Sequence, residues 1–291
     1  MQIATQLAKS ILTPQRAGFL ASPPYPFTHT LSAYTGCGFG QTTCGLYCYA
    51  QFMPNWTITH ANSEWGRAVS VKANAADLLD HTLRQMRTAQ RQRLRIFMSS
   101  TTDPYQPAEA TYRVTRQCLE VFTRYTDLDL LVIQTRGPLV TRDFDIIRQI
   151  PYAWLSMTIE TDDHQVLQGL RGGPLLSKRF AAVREAHQHG IPTQIAVSPC
   201  LPYTATFAAT LAGSGADRVV VDNCVDGDGA KGERTARARY GELVPDWHDT
   251  VPSQALFDQL VALSVDVGWS ATGFCGIAPR THQTLLSVCD A

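Results

Sequence analysis

The residue types best suited to chemistry are concentrated in residues 35–50, TGCGFGQTTCGLYCYA, where Cys37, Cys44 and Cys48 share one short loop of a chain with 8 cysteines in all. Thiols this close can pair as a disulfide, ligate a zinc ion or hold the corners of an iron–sulfur cluster. The N-terminal stretch lacks a continuous apolar segment followed by a small-residue cleavage site, and no later stretch approaches the ~18 apolar residues of a membrane span. A soluble, cytoplasmic protein with no membrane partner is therefore expected, and in a reducing compartment a stable disulfide is disfavoured. A structural zinc normally takes four ligands, and no neighbouring CxxC or HxxxH supplies the fourth. Three thiolates spaced C-x6-C-x3-C on a Gly- and Thr-rich loop suit a 4Fe-4S cluster whose remaining iron stays open to a substrate or cofactor.

The elements that must position this loop follow from an alternation of strand-like and helical patterns. Short β-type runs occupy residues 28–36, 94–100, 128–136, 153–160, 192–200 and 217–223. Segments of helical periodicity follow at 74–90, 107–125, 141–150, 175–190, 204–215 and 252–268. Six strand–helix units imply a mostly parallel sheet, arranged as a partial TIM-type (β/α)6 barrel with a C-terminal extension. With 291 residues, 44% of them hydrophobic, the chain can bury one substantial core. Lys plus Arg and Asp plus Glu balance at 25 each, so no net field draws the molecule to nucleic acid. The expected organisation is an N-terminal extension (1–27), a barrel core (28–225), a polar loop or lid (226–250), and a C-terminal helix and tail (251–291). In such a barrel the chemistry sits at the C-terminal strand ends. There the sequence offers Cys37, Ser99 to Asp103, Gln134 to Arg136, Thr158, Glu160, Ser198, Cys200, and Asp222 to Cys224.

Four passages, in order, resemble the spore photoproduct lyase-like branch of the radical S-adenosylmethionine superfamily. They are AYTGCGFGQTTCGLYCYAQ, SSTTDPYQPAEATYRVTRQCLEVF, SMTIETDDHQVLQGL and KRFAAVREAHQHGIPTQIAVSPCLPY, and together they cover roughly residues 28–205. Both cysteine gaps are longer than the usual C-x3-C-x2-C of the superfamily. The resemblance implies that Cys37, Cys44 and Cys48 bind three irons of a 4Fe-4S cluster, with S-adenosyl-L-methionine chelating the fourth. An external reductant such as flavodoxin or ferredoxin would then release a 5'-deoxyadenosyl radical, which abstracts hydrogen from an unidentified substrate.

Further roles carry over position by position. Tyr47 and Tyr49 flank the third cysteine near the cofactor, and Thr101, Thr102 and Asp103 match a polar segment that approaches it. Arg136 stands where relatives have Lys and would pair with the cofactor carboxylate, while Ser156 and Ser198 lie on the fourth and fifth strands. In the branch a cysteine directly precedes the polar segment and donates hydrogen to the product radical. Here that position is Ser100, whose O–H bond is too strong for the task, so DNA photoproduct repair, and nucleic acid as substrate, are not favoured. Cys200, Cys224 and Cys275 are candidates for a relocated thiol donor or a second cluster. Cys118 and Cys289 read as structural, and Arg234, Arg237 and Arg239 of the polar insertion are placed to meet an anionic substrate.

Overall fold

The computed structural model describes residues 1–238 and 240–280; Arg239, Cys289 and the end of the C-terminal tail lie outside the described residues. The strands are β1 (Gln2–Gln6), β2 (Leu12–Pro14), β3 (His29–Leu31), β4 (Tyr34–Thr35), β5 (Ala68–Lys72), β6 (Arg95–Met98), β7 (Leu130–Thr135), β8 (Ala153–Thr158), β9 (Thr193–Val197), β10 (Arg218–Val221) and β11 (Val267–Trp269). Eight of them form one sheet in the order β11-β10-β9-β8-β7-β6-β3-β2. Every neighbouring pair is parallel except β2 with β3. Parallel pairing follows from the connections, because a helix carries the chain back between strands. Those helices include Ala75–Gln85, Val114–Phe122, Leu176–Gln188, Phe207–Ala212 and Val251–Ala262, each a shortened version of a periodic segment in the sequence.

Side chains alternate across this sheet. Ile96, Met98, Leu131, Ile133, Leu155, Met157, Ile195 and Val219 face the helices, where Leu79, Leu83, Phe122 and Val183 complete the main core. Phe97, Val132, Ala196 and Val220 face the other way and pack with Leu20, Phe27 and Phe274. The mostly parallel α/β sheet is the expected class. Among the described residues the ladder is open between its edge strands β2 and β11. There the turn Phe19–Ala21 meets the helix Ser270–Phe274, with the Phe19 and Phe274 rings 5.6 Å apart.

Local departures from the sequence reading have physical causes. The run at 28–36 is two strands, since β3 belongs to the large sheet while β4 crosses into a small one, ordered β1-β5-β4. The break at Ser32 and Ala33 is fixed from β5, where Lys72 Nζ donates to the Ser32 carbonyl (2.8 Å) and Lys72 N to that of Ala33 (3.0 Å). The helix expected to run to residue 268 ends at Ala262, and Ser264 takes a left-handed φ of 59° before the chain enters β11. Residues 1–27 contribute β1 and β2. Residues 226–250 include two short helices, Glu233–Arg237 and Tyr240–Leu243, with Thr235 and Tyr240 buried.

Candidate active site

A cavity of about 380 Å³ opens at the C-terminal ends of the strands, and Cys37, Cys44 and Cys48 all line it. The loop that carries them winds through three short 3-10 turns, Gly38–Gln41, Thr43–Leu46 and Tyr49–Phe52. Its tightness explains a glycine: a Cβ on Gly45 would lie 1.8 Å from the Gly40 carbonyl oxygen. The segment after β6 clamps the loop from outside. Gln106 accepts from Gly38 N (2.7 Å) and donates to the Gly36 carbonyl (3.2 Å), which also receives the Thr102 hydroxyl (2.6 Å). Tyr49 donates its hydroxyl to the Ser100 carbonyl. Asp103 ties the segment to β7, accepting from Thr135 Oγ1 (2.6 Å), Tyr105 N (2.8 Å) and Arg136 N (2.9 Å). Glu109, wholly buried, takes the Tyr34 hydroxyl and an Arg142 guanidinium N–H (2.9 Å). The passage TTDPYQPAE thus acts mainly as the scaffold of the cysteine loop.

Electrostatics divides the thiols. The Cys48 thiol hydrogen-bonds to Cys44 and lowers its pKa, burial opposes this, and nearby Arg136 reinforces it. Burial pushes Cys37 up, and Cys48 is raised first by its bond to Cys44 and then by burial. Among the described residues no three His, Cys, Asp or Glu side chains converge on a single metal-ion position. A cluster asks for something different, since its thiolates sit on separate irons rather than around one ion.

Beside the loop, Glu160 anchors a buried charge network. Its carboxylate accepts from the Tyr47 hydroxyl (2.8 Å), from Arg136 and from Arg179 (2.5 Å). Burial works to raise this carboxyl, but Arg136 and Arg179 outweigh it and hold the group down at about 2. The Arg136 guanidinium, expected to serve a cofactor carboxylate, is therefore already engaged by Glu160 and, at 3.3 Å, by the Tyr47 oxygen, although the residue still lines the cavity.

Tyr49, Thr101, Thr102, Asp103 and Ser198 also line the cavity. Tyr47 and Cys224 instead border an adjoining recess of about 90 Å³ that shares Cys44, Cys48 and Arg136 with it. Ser156 lies deeper, fully buried, accepting from Gln194 Nε2 (2.9 Å). Cys200 lies next to Asp222, whose carbonyl accepts from Cys200 N (2.6 Å), and burial pushes its thiol up to about 12. Cys275 is fully buried, its sulfur 3.4 Å from the Leu20 carbonyl, away from the cavity wall. Cys118 is buried in the main core. Arg234 lines the cavity and donates to the Asp228 carbonyl (2.6 Å), whereas Arg237 lies over the Phe52 ring.

Several contributors were not singled out from the sequence. In sequence Ser99, Gln134, Thr158 and Asp222 are only part of a polar rim, and strand parity places all four with Ser198 on the cavity face. Gln15 and Phe19, from the N-terminal stretch, and Phe274 line the cavity too, with no local motif to announce them.

This architecture defines the class: an α/β protein with a mostly parallel sheet and a cysteine-lined cavity at its strand ends. The fold is shared with spore photoproduct lyase, a radical S-adenosylmethionine enzyme. A mutant of that lyase aligns with a TM-score of 0.56, and its complex with dinucleoside spore photoproduct with one of 0.55. Each is 16% identical and covers 76% of this chain and 61% of the lyase. In sequence, an uncharacterised protein of Methanocaldococcus jannaschii is 29% identical over 175 residues, 60% of this chain and 61% of its own length. An uncharacterised Mycobacterium tuberculosis protein is 27% identical over 183 residues, which is 61% of this chain and 51% of that protein. The chain thus matches only about half to three-fifths of these proteins' lengths. No protein-family model matches it. Among the described residues, no helix is long and apolar enough to cross a membrane.

Proposed function

We propose that this protein is a radical S-adenosylmethionine enzyme in which Cys37, Cys44 and Cys48 hold a 4Fe-4S cluster. The observation that carries the reading is that three cysteines of one loop open into a single cavity at the ends of a parallel sheet, in a fold shared with spore photoproduct lyase. The donor set fits the group: three buried or half-buried thiols, and a polar cavity wall beside them. When bound, such a cluster would deliver an electron to S-adenosylmethionine and so supply a 5'-deoxyadenosyl radical for hydrogen abstraction.

The chain's own residues have definable parts. Thr102, Gln106 and Gly45 fix the path of the loop, and Glu160 holds Tyr47 and Arg136 beside Cys44. Positioning of this kind holds the thiols and their neighbours in one geometry. Thr101 and Ser198 place hydroxyls on the cavity wall, where Thr101 accepts from Asn55 (3.0 Å) and Ser198 donates to Asp222 (3.1 Å). A DNA photoproduct repair activity is not favoured, because Ser100 occupies the position of the thiol donor in that branch.

Anaerobic reconstitution with iron and sulfide, followed by metal analysis, tests the ligand set. The wild-type chain is expected to retain about four irons with visible iron–sulfur absorbance, and Cys37→Ala, Cys44→Ala and Cys48→Ala each to lose most of it. Stoichiometric zinc without iron would overturn the reading.

A further inference from the structure

Five adjacent parallel strands send polar side chains to the cavity wall, among them Ser99 after β6, Gln134 on β7, Thr158 on β8, Ser198 after β9 and Asp222 after β10. Two of these have a buried polar atom without a partner. Ser99 is only 3% exposed and its hydroxyl has no partner, while the buried Gln134 Oε1 also lacks one although its Nε2 donates to Thr158 (2.6 Å). Asp222 is fully buried, and its carboxylate accepts only from neutral groups: Ser198 Oγ (3.1 Å), Asn223 N (2.9 Å) and the Ser270 hydroxyl. Asp103 also accepts from three neutral donors but has the Arg136 guanidinium nearby, and Asp228 accepts from the N–H groups of Ala230, Gly232, Arg234 and Thr235.

We propose that Asp222, Gln134 and Ser99 form a substrate subsite for a nitrogen group rich in N–H donors, a protonated amine or amidine carried on an apolar or aromatic body. The unpartnered Gln134 carbonyl calls for a donor from the guest, and a buried carboxylate held only by neutral donors favours a cationic one. Gly227 keeps the carboxylate open, since a Cβ there would lie 2.2 Å from Asp222 Oδ2. The apolar body has its own surface in Phe19, Phe97 and Phe274, which line the same cavity. The Phe97 and Phe274 rings meet edge to face at 6.1 Å. Burial pushes the Asp222 carboxyl up to about 7 against the pull of its hydrogen bonds. The inference rests on the enzyme reading above.

The test uses benzamidine and benzoate, a planar pair of similar size and opposite charge, titrated by calorimetry into the full chain with and without its reconstituted cluster. Benzamidine is expected to bind and benzoate not, and Asp222→Asn should weaken benzamidine about ten-fold or more. Saturating S-adenosylmethionine should leave benzamidine binding in place. Equal binding of benzoate, an unaltered affinity in the variant, or displacement by S-adenosylmethionine would each overturn the subsite. Should the variant fail to fold, the comparison of the two probes on the unaltered chain still decides. If benzamidine fails to bind while the reconstituted cluster persists, only the subsite is lost; if the cluster does not form, the enzyme reading is lost.

Discussion

Glu160 shows how far a single residue can organise this site. It joins Tyr47, three positions after Cys44, to Arg136, just past the end of β7, and to Arg179 on a helix. Replacing it by Gln leaves two buried guanidinium groups without a counter-charge and should cost about 3–5 kcal/mol. Because the folded-state carboxyl sits at about 2, below its ordinary value, its stabilising contribution is complete above pH ~4.5 and is lost as pH falls from there through about 2. Thermal melts across that range should therefore fall more steeply for wild type than for Glu160→Gln. Asp222 has the opposite sign. Its carboxyl is raised to about 7, so its favourable contribution is complete below pH ~3.8 and is lost as pH rises through 7. Asp222→Asn should stabilise the free protein above pH 7 by on the order of 2 kcal/mol and flatten that decline, as measured by chemical denaturation. The three loop cysteines were legible from their crowding alone. The link between Tyr47 and Glu160 was not, because it spans 113 positions and neither residue belongs to a local motif that names the other.

At the scale of elements, the helical segments and central strands were readable because each is a periodic or buried run. β1 was missed because its residues are largely exposed and carry no apolar alternation, and β11 because three residues between a helix and a turn leave little pattern. The glycines and charges after β10 suggest a loop or lid, yet Asp228 gathers the stretch by accepting from four backbone N–H groups. Asp228→Ala should strand those donors, destabilise the chain by about 2–3 kcal/mol, and speed amide exchange across residues 228–238 while β7 and β8 stay protected. Unchanged exchange there would mean that the segment is held by the packing of Thr235 and Tyr240 instead.

For the whole molecule, the chain brings a cysteine loop, a polar strand-end wall and aromatic residues from both ends of the sequence around one cavity. The strand–helix alternation made the mostly parallel sheet legible. The contributions of Gln15, Phe19 and Phe274 depend on how the two sheet edges meet, which no local pattern encodes. Neutral overall charge and a cavity whose Arg136 is matched to Glu160 fit a small guest better than a polyanion. The most direct measurement is anaerobic incubation of the reconstituted protein with dithionite and S-adenosylmethionine, followed by chromatography for 5'-deoxyadenosine. Its formation by wild type and its absence from the Cys37→Ala, Cys44→Ala and Cys48→Ala variants is the predicted result. An intact cluster that binds S-adenosylmethionine yet yields no 5'-deoxyadenosine, or an equal yield from the cysteine variants, would contradict it.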